Sequence, residues 1–355
     1  MFSFFSKEKP KKGNVFVGVS GGVDSSVSAA LLIEQGYNVV GVFIRTWQPD
    51  WIECTWRDER RDAMRVCAHL NIPFAELNLE DEYKEGVADY MIAEYRAGRT
   101  PNPDVMCNRE VKFGGFLSWA LRNGADYIAT GHYARNNGQL LQGIDPTKDQ
   151  SYFLWTLTNG QLSKVLFPIG DLQKTQVRKL AEQFKLPTAA KKDSQGICFI
   201  GEIDMKDFLS HYIETRQGDV LDESGSVIGY HQGSLFYTLG ERHGFVIIKK
   251  TDHDLPYYVV EKNLDRNTIT VSQTPAHFKT RNQVILADCV WRIDPTGQER
   301  KSQIRYHGAL LSCWVTQDQN GEYNVSFKES DYSISPGQSI VIYDRDICLG
   351  GGVVK

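Results

Sequence analysis

A β-branched run, Val15-Phe16-Val17-Gly18-Val19, leads straight into Ser20-Gly21-Gly22-Val23-Asp24-Ser25-Ser26, and a helical stretch follows at once. Strand, glycine turn and helix in that order read as one unit of an α/β sheet, with the turn at the carboxyl end of the strand. Gly21 and Gly22 carry no Cβ, so the backbone there can turn sharply and approach a ligand closely. The first N–H groups of the helix have no intrahelical partners and sit at the positive end of its dipole, which makes an anion site. Ser20, Ser25 and Ser26 add hydroxyl donors, and Asp24 is a candidate ligand for a Mg²⁺ set against phosphate oxygens. A phosphate loop of the G-x-x-x-x-G-K-S/T type places a lysine after its glycines; none follows here, which disfavours transfer of a γ-phosphoryl group. A glycine-rich turn without a ligand is the alternative.

Composition excludes several classes. The 355 residues suffice for two or three domains with ample cores, and 41% hydrophobic with 24% charged residues is ordinary for a globular chain. No apolar run approaches the length of a membrane span, so no membrane partner is expected. Met1 to Lys12 has three Phe and then a Lys-rich stretch, without the apolar core of a signal peptide. It reads as a frayed extension, and the expected compartment is the cytoplasm. Seven scattered cysteines with no C-x-x-C argue against a disulfide framework and leave reactive or structural thiols. The formal net charge of −4 carries no global nucleic-acid signature, so an RNA ligand would need a focused patch. Arg57 to Arg65, Lys191-Lys192 and Lys249-Lys250 are basic clusters, each of which also fits a solvated surface.

From Val15 to about Gly201 strand-like and helix-like segments alternate. Asn38 to Ile44, Phe74 to Leu79 and Asp126 to Thr130 read as strands. Ser25 to Gln35 reads as a helix closed by Gly36, and a second amphipathic helix carries Val177, Leu180, Ala181 and Phe184 with Thr175 as its N-cap. Alternation of this kind predicts a parallel sheet covered by helices on both faces, with ligands at the carboxyl ends of its strands. After about Asp204 helical periodicity is not expected to return. Asp219 to Ile228 reads as two short strands around a turn, and Thr268 to Val271, Val284 to Leu286 and Ser339 to Tyr343 as further β structure. The fold class is therefore α/β: a parallel-sheet domain over residues 1–204, a small central β domain over 205–275 and a C-terminal β barrel over 276–355.

Three further segments of the first domain carry chemistry. Arg99-Thr100-Pro101-Asn102-Pro103-Asp104-Val105-Met106-Cys107 reads as a rigid non-helical loop, with Cys107 just before a helix beginning near Glu110. A thiol near a helix N-terminus has a lowered pKa, although cysteines are often buried and inert. Cys198 follows a glycine-containing turn in Lys192-Asp193-Ser194-Gln195-Gly196-Ile197. Lys148-Asp149-Gln150-Ser151-Tyr152 is a polar cluster in which Gln150 has both the donor and the acceptors needed to read a base edge; an ordinary polar loop fits it equally.

The opening loop resembles the pyrophosphatase loop of the ATP-pyrophosphatase (PP-loop) superfamily, whose members split ATP between its α- and β-phosphates and place AMP on a substrate oxygen. Together the segments GVSGGVDSS, AGRTPNPDVMCNREVKF, ADYIATGHYAR, KDQSYFL, KKDSQGICFIGE and SPGQSIVIYDRDICLGGGVV closely resemble the tRNA-specific 2-thiouridylase family, in its order, from about Val15 to Val354. The resemblance implies an enzyme that makes 2-thiouridine at the wobble position of tRNA, with ATP held at Gly18, Val19, Ser20, Gly21, Gly22, Val23, Asp24 and Ser25 and flanked by Ile44 and Gly131. It implies a persulfide on Cys198, supplied by a sulfur-relay protein or a cysteine desulfurase. Cys107 is then the partner thiol that frees the sulfur and pairs with Cys198, and Asp104 the acid/base residue. Asn102, Pro103 and Asp104 match target-base contacts; Lys148, Asp149, Gln150, Arg305, Tyr306 and Gln338 match further tRNA contacts. Read alone, Arg305-Tyr306 is also compatible with a strand that has one wet face.

Three departures stand out. Glu241 and His243 replace the usual Gln and basic residue in Leu239 to Gly244, and Gln195 replaces a small hydroxyl residue. Cys54, Cys67, Cys289, Cys313 and Cys348 read as structural. One rival keeps the reaction but uses Asp104, Cys107 and Cys198 as ligands of an iron–sulfur cluster. Two others are an adenylating PP-loop enzyme that needs no thiols and a non-catalytic tRNA-binding protein.

Overall fold

In the computed structural model, which describes residues 12–52, 56–193, 204–248, 255–274, 282–328 and 334–355, the first strand alternates its burial between two cores. Strand β1 (Asn14–Gly18) sends Val15 and Val17 to one face of its sheet and Phe16 to the other. On the first face Val15 and Val17 meet Ala29 and Leu32 of α1 (Val23–Glu34) and Ala63 and Val66 of α2 (Trp56–His69). Phe16 meets Phe113, Phe116 and Met91 from helices on the opposite face. Strands buried on both sides are what a parallel sheet requires. β2 (Asn38–Arg45), β3 (Phe74–Asn78), β4 (Tyr127–Ala129) and β7 (Val165–Leu166) complete the sheet in the order β3-β2-β1-β4-β7, every pair parallel. The order reverses between β1 and β4, so the crevice where such sheets bind ligands opens at Gly18 and Ala129.

Helix ends differ from expectation in three places, each for a local reason. Pro103 does not block helix formation: with Asn102 as N-cap it occupies the first position of a helix over Pro103–Met106, where its fixed φ is already helical. The turn runs on through a π-helical stretch, Cys107–Phe116, so Cys107 lies within the helix rather than ahead of one starting near Glu110. The helix Lys174–Gln183 is capped by extended Gln173, in a reciprocal bond pair with Gln176, and not by Thr175. After Asp204 one helix does return, Met205–Ser210, capped by the Asp204 carboxylate on the N–H groups of Lys206 and Asp207; six residues are too few to show a period. The helix expected to close at Gly36 does so, with Gly36 at φ +86°.

The hairpin read at Asp219 to Ile228 is β8 (Gly218–Leu221) with β9 (Val227–His231). With β10 (Phe245–Ile247), β11 (Tyr258–Asn263) and β12 (Thr268–Ser272) it forms a second, mixed sheet. Beyond it β13 (Gln283–Trp291), β14 (Glu299–Gln303), β15 (Leu311–Gln317), β16 (Tyr323–Phe327), β17 (Ser339–Asp344) and β18 (Ile347–Val354) pair antiparallel. Pairing of β13 with β18 closes them into a barrel around Val315, Val325, Ile340 and Ile342. The barrel also takes in a hairpin from the first part of the chain: β6 (Leu140–Gln142), paired with β5 (Ala134–Asn136), meets β18 at Leu141 and Ile347. Arg292 clamps this junction, donating to the carbonyls of Trp155 at 2.8 Å, Leu157 at 2.6 Å and Cys348 at 2.9 Å. No described helix is long and apolar enough to cross a membrane. The extension before Lys12, Cys54, Gln195, Cys198 and Lys249-Lys250 lie outside the described residues.

Candidate active site

The nucleotide loop is built for close approach. Gly21 has φ +71°, and a Cβ there would stand 2.6 Å from the Glu59 carbonyl oxygen of α2. Gly22 caps α1 without a side chain on its first N–H groups, so these are left to a ligand. Ser20 and Ser25 face each other at 3.3 Å between their hydroxyls, while Ser26 donates to the Gly22 carbonyl at 2.6 Å and fixes the turn. Just beyond the neighbouring strand β4 a Cβ at Gly131 would lie 2.7 Å from the Ser25 nitrogen, which favours glycine there. Gly18 and Ile44 stand side by side at the ends of β1 and β2, and Val19 donates its N–H to Val42 at 2.8 Å. His132, next to Gly131, is buried against Phe113 and Phe167 with its Nδ1 2.7 Å from the Thr130 hydroxyl; burial lowers its pKa, and it packs as a neutral ring.

Asp24 is the hub of the polar network. Its Oδ1 accepts from Tyr133 OH at 2.8 Å, and its two oxygens accept from Lys174 Nζ at 2.7 and 2.8 Å. Lys174 also reaches Asp193 at 2.9 Å, and Asp193 in turn takes Lys148 at 2.8 Å and Arg178. Burial opposes the ionisation of Asp193, but hydrogen bonds from Lys148 and Lys174 and their charges outweigh it and hold the carboxyl far below its ordinary value. A second route leaves through Tyr133, whose backbone N–H and C=O bind Gln150 at 3.0 and 2.9 Å. Both Lys148 and Gln150 are thereby wired to the glycine loop.

The remaining predicted residues gather where the three sheets meet. Thr100 donates its N–H to the Pro336 carbonyl of the barrel at 2.8 Å, and its hydroxyl lies 3.1 Å from that of Thr238 in the central sheet's domain. Asn102 caps the Pro103 helix through the Val105 N–H at 3.2 Å and hydrogen-bonds the Tyr152 phenol. Arg305 reaches the Leu239 carbonyl at 3.5 Å, and its half-buried guanidinium has a lowered pKa from burial, opposed by Tyr152. Tyr306 is pushed up to about 12, first by burial and then by the negative charges of Asp149 and Asp104, which places all three groups in one neighbourhood. Its ring packs on Phe153 at 4.3 Å and stacks on His307 at 3.9 Å, an aromatic ledge at the barrel mouth. Gln338 turns inward and accepts the Ser335 N–H at 3.2 Å. A cavity of about 460 Å³ lies beside the ledge, lined by Gln142, Gly143, Asp149, Gln303, His307 and Leu310.

Two side chains sit differently from what their sequence context suggests. Asp149 is buried and shapes its own loop, accepting from Gly143 N–H at 2.8 Å and from the Ser151 N–H and hydroxyl at 3.1 and 3.0 Å. Cys107 is fully enclosed, at 0% exposure, among the core residues of the sheet's second face. Cys67, Cys289, Cys313 and Cys348 each have a raised pKa from burial, as structural thiols do. Among the described residues no group of three or more His, Cys, Asp or Glu could hold a metal ion. Sequence reasoning missed Lys174, Tyr133 and Asp193. Tyr133 and Asp193 fall inside segments that carry the family resemblance, whereas Lys174 gave no signal, standing just ahead of the residue read as the N-cap of an amphipathic helix.

Comparison with known proteins agrees with this layout. Family models described as the tRNA methyl transferase HUP domain, the tRNA methyl transferase PRC-barrel domain and the aminomethyltransferase beta-barrel domain match residues 13–202, 206–273 and 278–354. The protein named tRNA-specific 2-thiouridylase MnmA from Pseudomonas aeruginosa strain UCBPP-PA14 is 44% identical over 99% of this chain and 96% of its own length. Its namesake from Hydrogenovibrio crunogenus is 45% identical over 98% and 96%, and that from Francisella philomiragia 44% over 97% and 99%. With identity of that order carried along nearly the whole of both sequences, this chain belongs to the tRNA-specific 2-thiouridylase family.

Proposed function

We propose that the chain uses ATP to convert the wobble uridine of tRNA to 2-thiouridine, with sulfur carried as a persulfide and AMP as the product. One observation supports this above the others: the Asn102–Cys107 segment, the Arg305-Tyr306 ledge and the Pro336–Gln338 turn share one junction, which Tyr133 and Lys174 tie to the nucleotide loop. The family's reaction gives each part a task. The uridine C2 oxygen attacks the α-phosphate of ATP held at Gly18 to Ser25, pyrophosphate departs, and a poor leaving group becomes AMP. The Cys107 thiolate then attacks the Cys198 sulfur of the persulfide. The S–S bond breaks, a Cys107–Cys198 disulfide forms, and the terminal sulfur takes the bond's electron pair to C2 as the C–O bond to AMP breaks. A dithiol reductant restores both thiols, and a sulfur-relay protein or cysteine desulfurase recharges Cys198.

The Asp104 carboxylate serves as the acid/base group beside the target base, and Asn102 and Pro103 border that base. A base must leave its stack to reach such an enclosed site, and Tyr306 with Phe153 offers a stacking surface for its neighbours. In this reading Lys148, Gln150, Arg305 and Gln338 contact tRNA, and Asp149 acts by holding the Lys148–Gln150 loop in shape. Asp24 is the carboxylate that would hold Mg²⁺, which supplies charge neutralisation on the phosphates; its bond to Lys174 would then have to give way. The first domain would be catalytic to about residue 204, with the central domain to about 275 and the barrel beyond it closing on tRNA.

The test is turnover by purified, iron-free protein supplied with a persulfide donor. ATP conversion to AMP and pyrophosphate that depends on tRNA, with 2-thiouridine formed, supports the persulfide route. Turnover that appears only when iron and its absorption are restored would replace that route by the cluster carried on Asp104, Cys107 and Cys198.

A further inference from the structure

Next to Cys107 a buried polar side chain is only half satisfied. Asn108 is 3% exposed, and its Nδ2 donates to the Phe153 carbonyl at 3.2 Å. That carbonyl can only accept, so the amide nitrogen must face it and Oδ1 is turned away. Among the described residues Oδ1 has no hydrogen-bond partner. An unpaired buried acceptor costs stability, and a ligand that brings a donor recovers it. We propose that Asn108 Oδ1 accepts the N3–H of the target uridine, which holds C2 at the reaction centre and selects uracil over cytosine. The proposal rests on the reading that the wobble uridine is thiolated beside Cys107.

Residues four apart share a helix face, so Asp104, Asn108 and Lys112 form one polar stripe along the helical run over residues 103–116. One end of the stripe lies at the aromatic ledge. The charge of Asp104 acts on Tyr306, and Phe153, whose carbonyl holds the Asn108 amide, packs its ring on Tyr306 at 4.3 Å. The other end lies at the nucleotide site, where the charge of Lys112 acts on His132, next to Gly131. Asn108 stands between the two ends, where the proposed reaction brings the base and the α-phosphate together. Uracil has one donor on its Watson–Crick edge, N3–H, whereas cytosine has an acceptor at N3. N3 is bonded to C2, so a hydrogen bond to N3–H fixes the atom that receives sulfur. Cytosine would set its N3 lone pair against Oδ1, and a site built for a substrate N–H rejects analogues that lack it. When the C2 oxygen attacks the α-phosphate, the N3 proton departs and its bonding pair becomes the C2=N3 bond. The amide cannot take that proton; the Asp104 carboxylate, one turn away on the same face, can. Asn108 and Cys107 are enclosed in the same turn, so one opening of that turn serves both.

The test is the affinity of the full chain for tRNA carrying uridine, cytidine or N3-methyluridine at the wobble position, with an ATP analogue present that cannot be cleaved between its α- and β-phosphates. The wild type is expected to bind the uridine form about ten- to hundredfold more tightly than the other two. Asn108→Leu keeps the shape of the side chain without its amide and is expected to bind the uridine and cytidine forms alike. Asn108→Ala also makes room, so the N3-methyluridine form should bind it as well as the uridine form does. A preference for uridine over cytidine that is unchanged in both variants would overturn the proposal, as would equal losses for all three RNAs, which mark a merely structural role. Should the variants fail to fold, the wild type decides: N3-methyluridine or cytidine bound as tightly as uridine would overturn it. Absence of tRNA binding by the wild-type chain would be a different failure, that of the proposed function itself.

Discussion

Cys107 sets the terms at the scale of single residues. Its candidacy was legible through the family resemblance, not through its spacing from Asp104. Its burial was not, since enclosure at 0% exposure comes from helices that arrive from other parts of the chain. On the proposed persulfide route this enclosed thiol has to be uncovered, and the account expects the helix start at Pro103–Met106 to open when the substrates assemble. A thiol-reactive probe is therefore expected to label Cys107 slowly in the free protein and faster when tRNA and ATP are both present, with labelling sites read by mass spectrometry. Fast labelling of the free protein, indifferent to tRNA, would contradict the enclosed state. Lys174 is the converse case: its contact with Asp24 spans 150 positions and depends on how one helix lies over another, which no local pattern encodes.

Single elements were read well where their physics is local. Strands β1 to β4 of the parallel sheet match the segments read as strands to within a residue or two, whereas the two-residue edge strand β7 was not read; the glycine turn stands where the sequence placed it. Errors came where two local rules compete, as at Pro103, which breaks a helix interior but begins a helix well. The loop before β10 holds Glu241, which the sequence reading set apart from the family pattern and which has a visible role. Its carboxylate accepts the Thr238 N–H at 3.0 Å and pairs with Lys206 at 2.9 Å. Its charge also opposes the effect of burial on Lys262, which is lowered from 10.5 to about 8. The sign follows: between those two pH values the unfolded chain binds more protons at Lys262 than the folded one, so stability rises with pH across the window; below it the burial penalty is complete. Stability of the wild type relative to Lys262→Met should therefore climb from pH 8 to 10.5, as read by chemical denaturation. In a Glu241→Gln background the climb should begin at lower pH, because the charge that holds the lysine protonated is gone. A difference that is flat in pH would contradict this environment for Lys262.

For the molecule as a whole, the order of the domains was legible and their convergence was not. Each sheet declares itself through its own period, but the contacts of Thr100 with Pro336 and Thr238, and of Arg305 with Leu239, join segments that share no pattern. The β5–β6 hairpin on the barrel and the Arg292 clamp are likewise products of packing. These contacts create the junction at which the proposed reaction would bring the base, the nucleotide loop and Cys107 together, and the central claim is that sulfur passes there through two cysteines. The direct measurement is mass analysis of tRNA nucleosides after incubation with ATP, a persulfide donor and the wild-type, Cys107→Ser or Cys198→Ser chain. The account predicts 2-thiouridine from the wild type alone, with tRNA-dependent AMP formation retained in both variants. Full 2-thiouridine formation by either variant would contradict it.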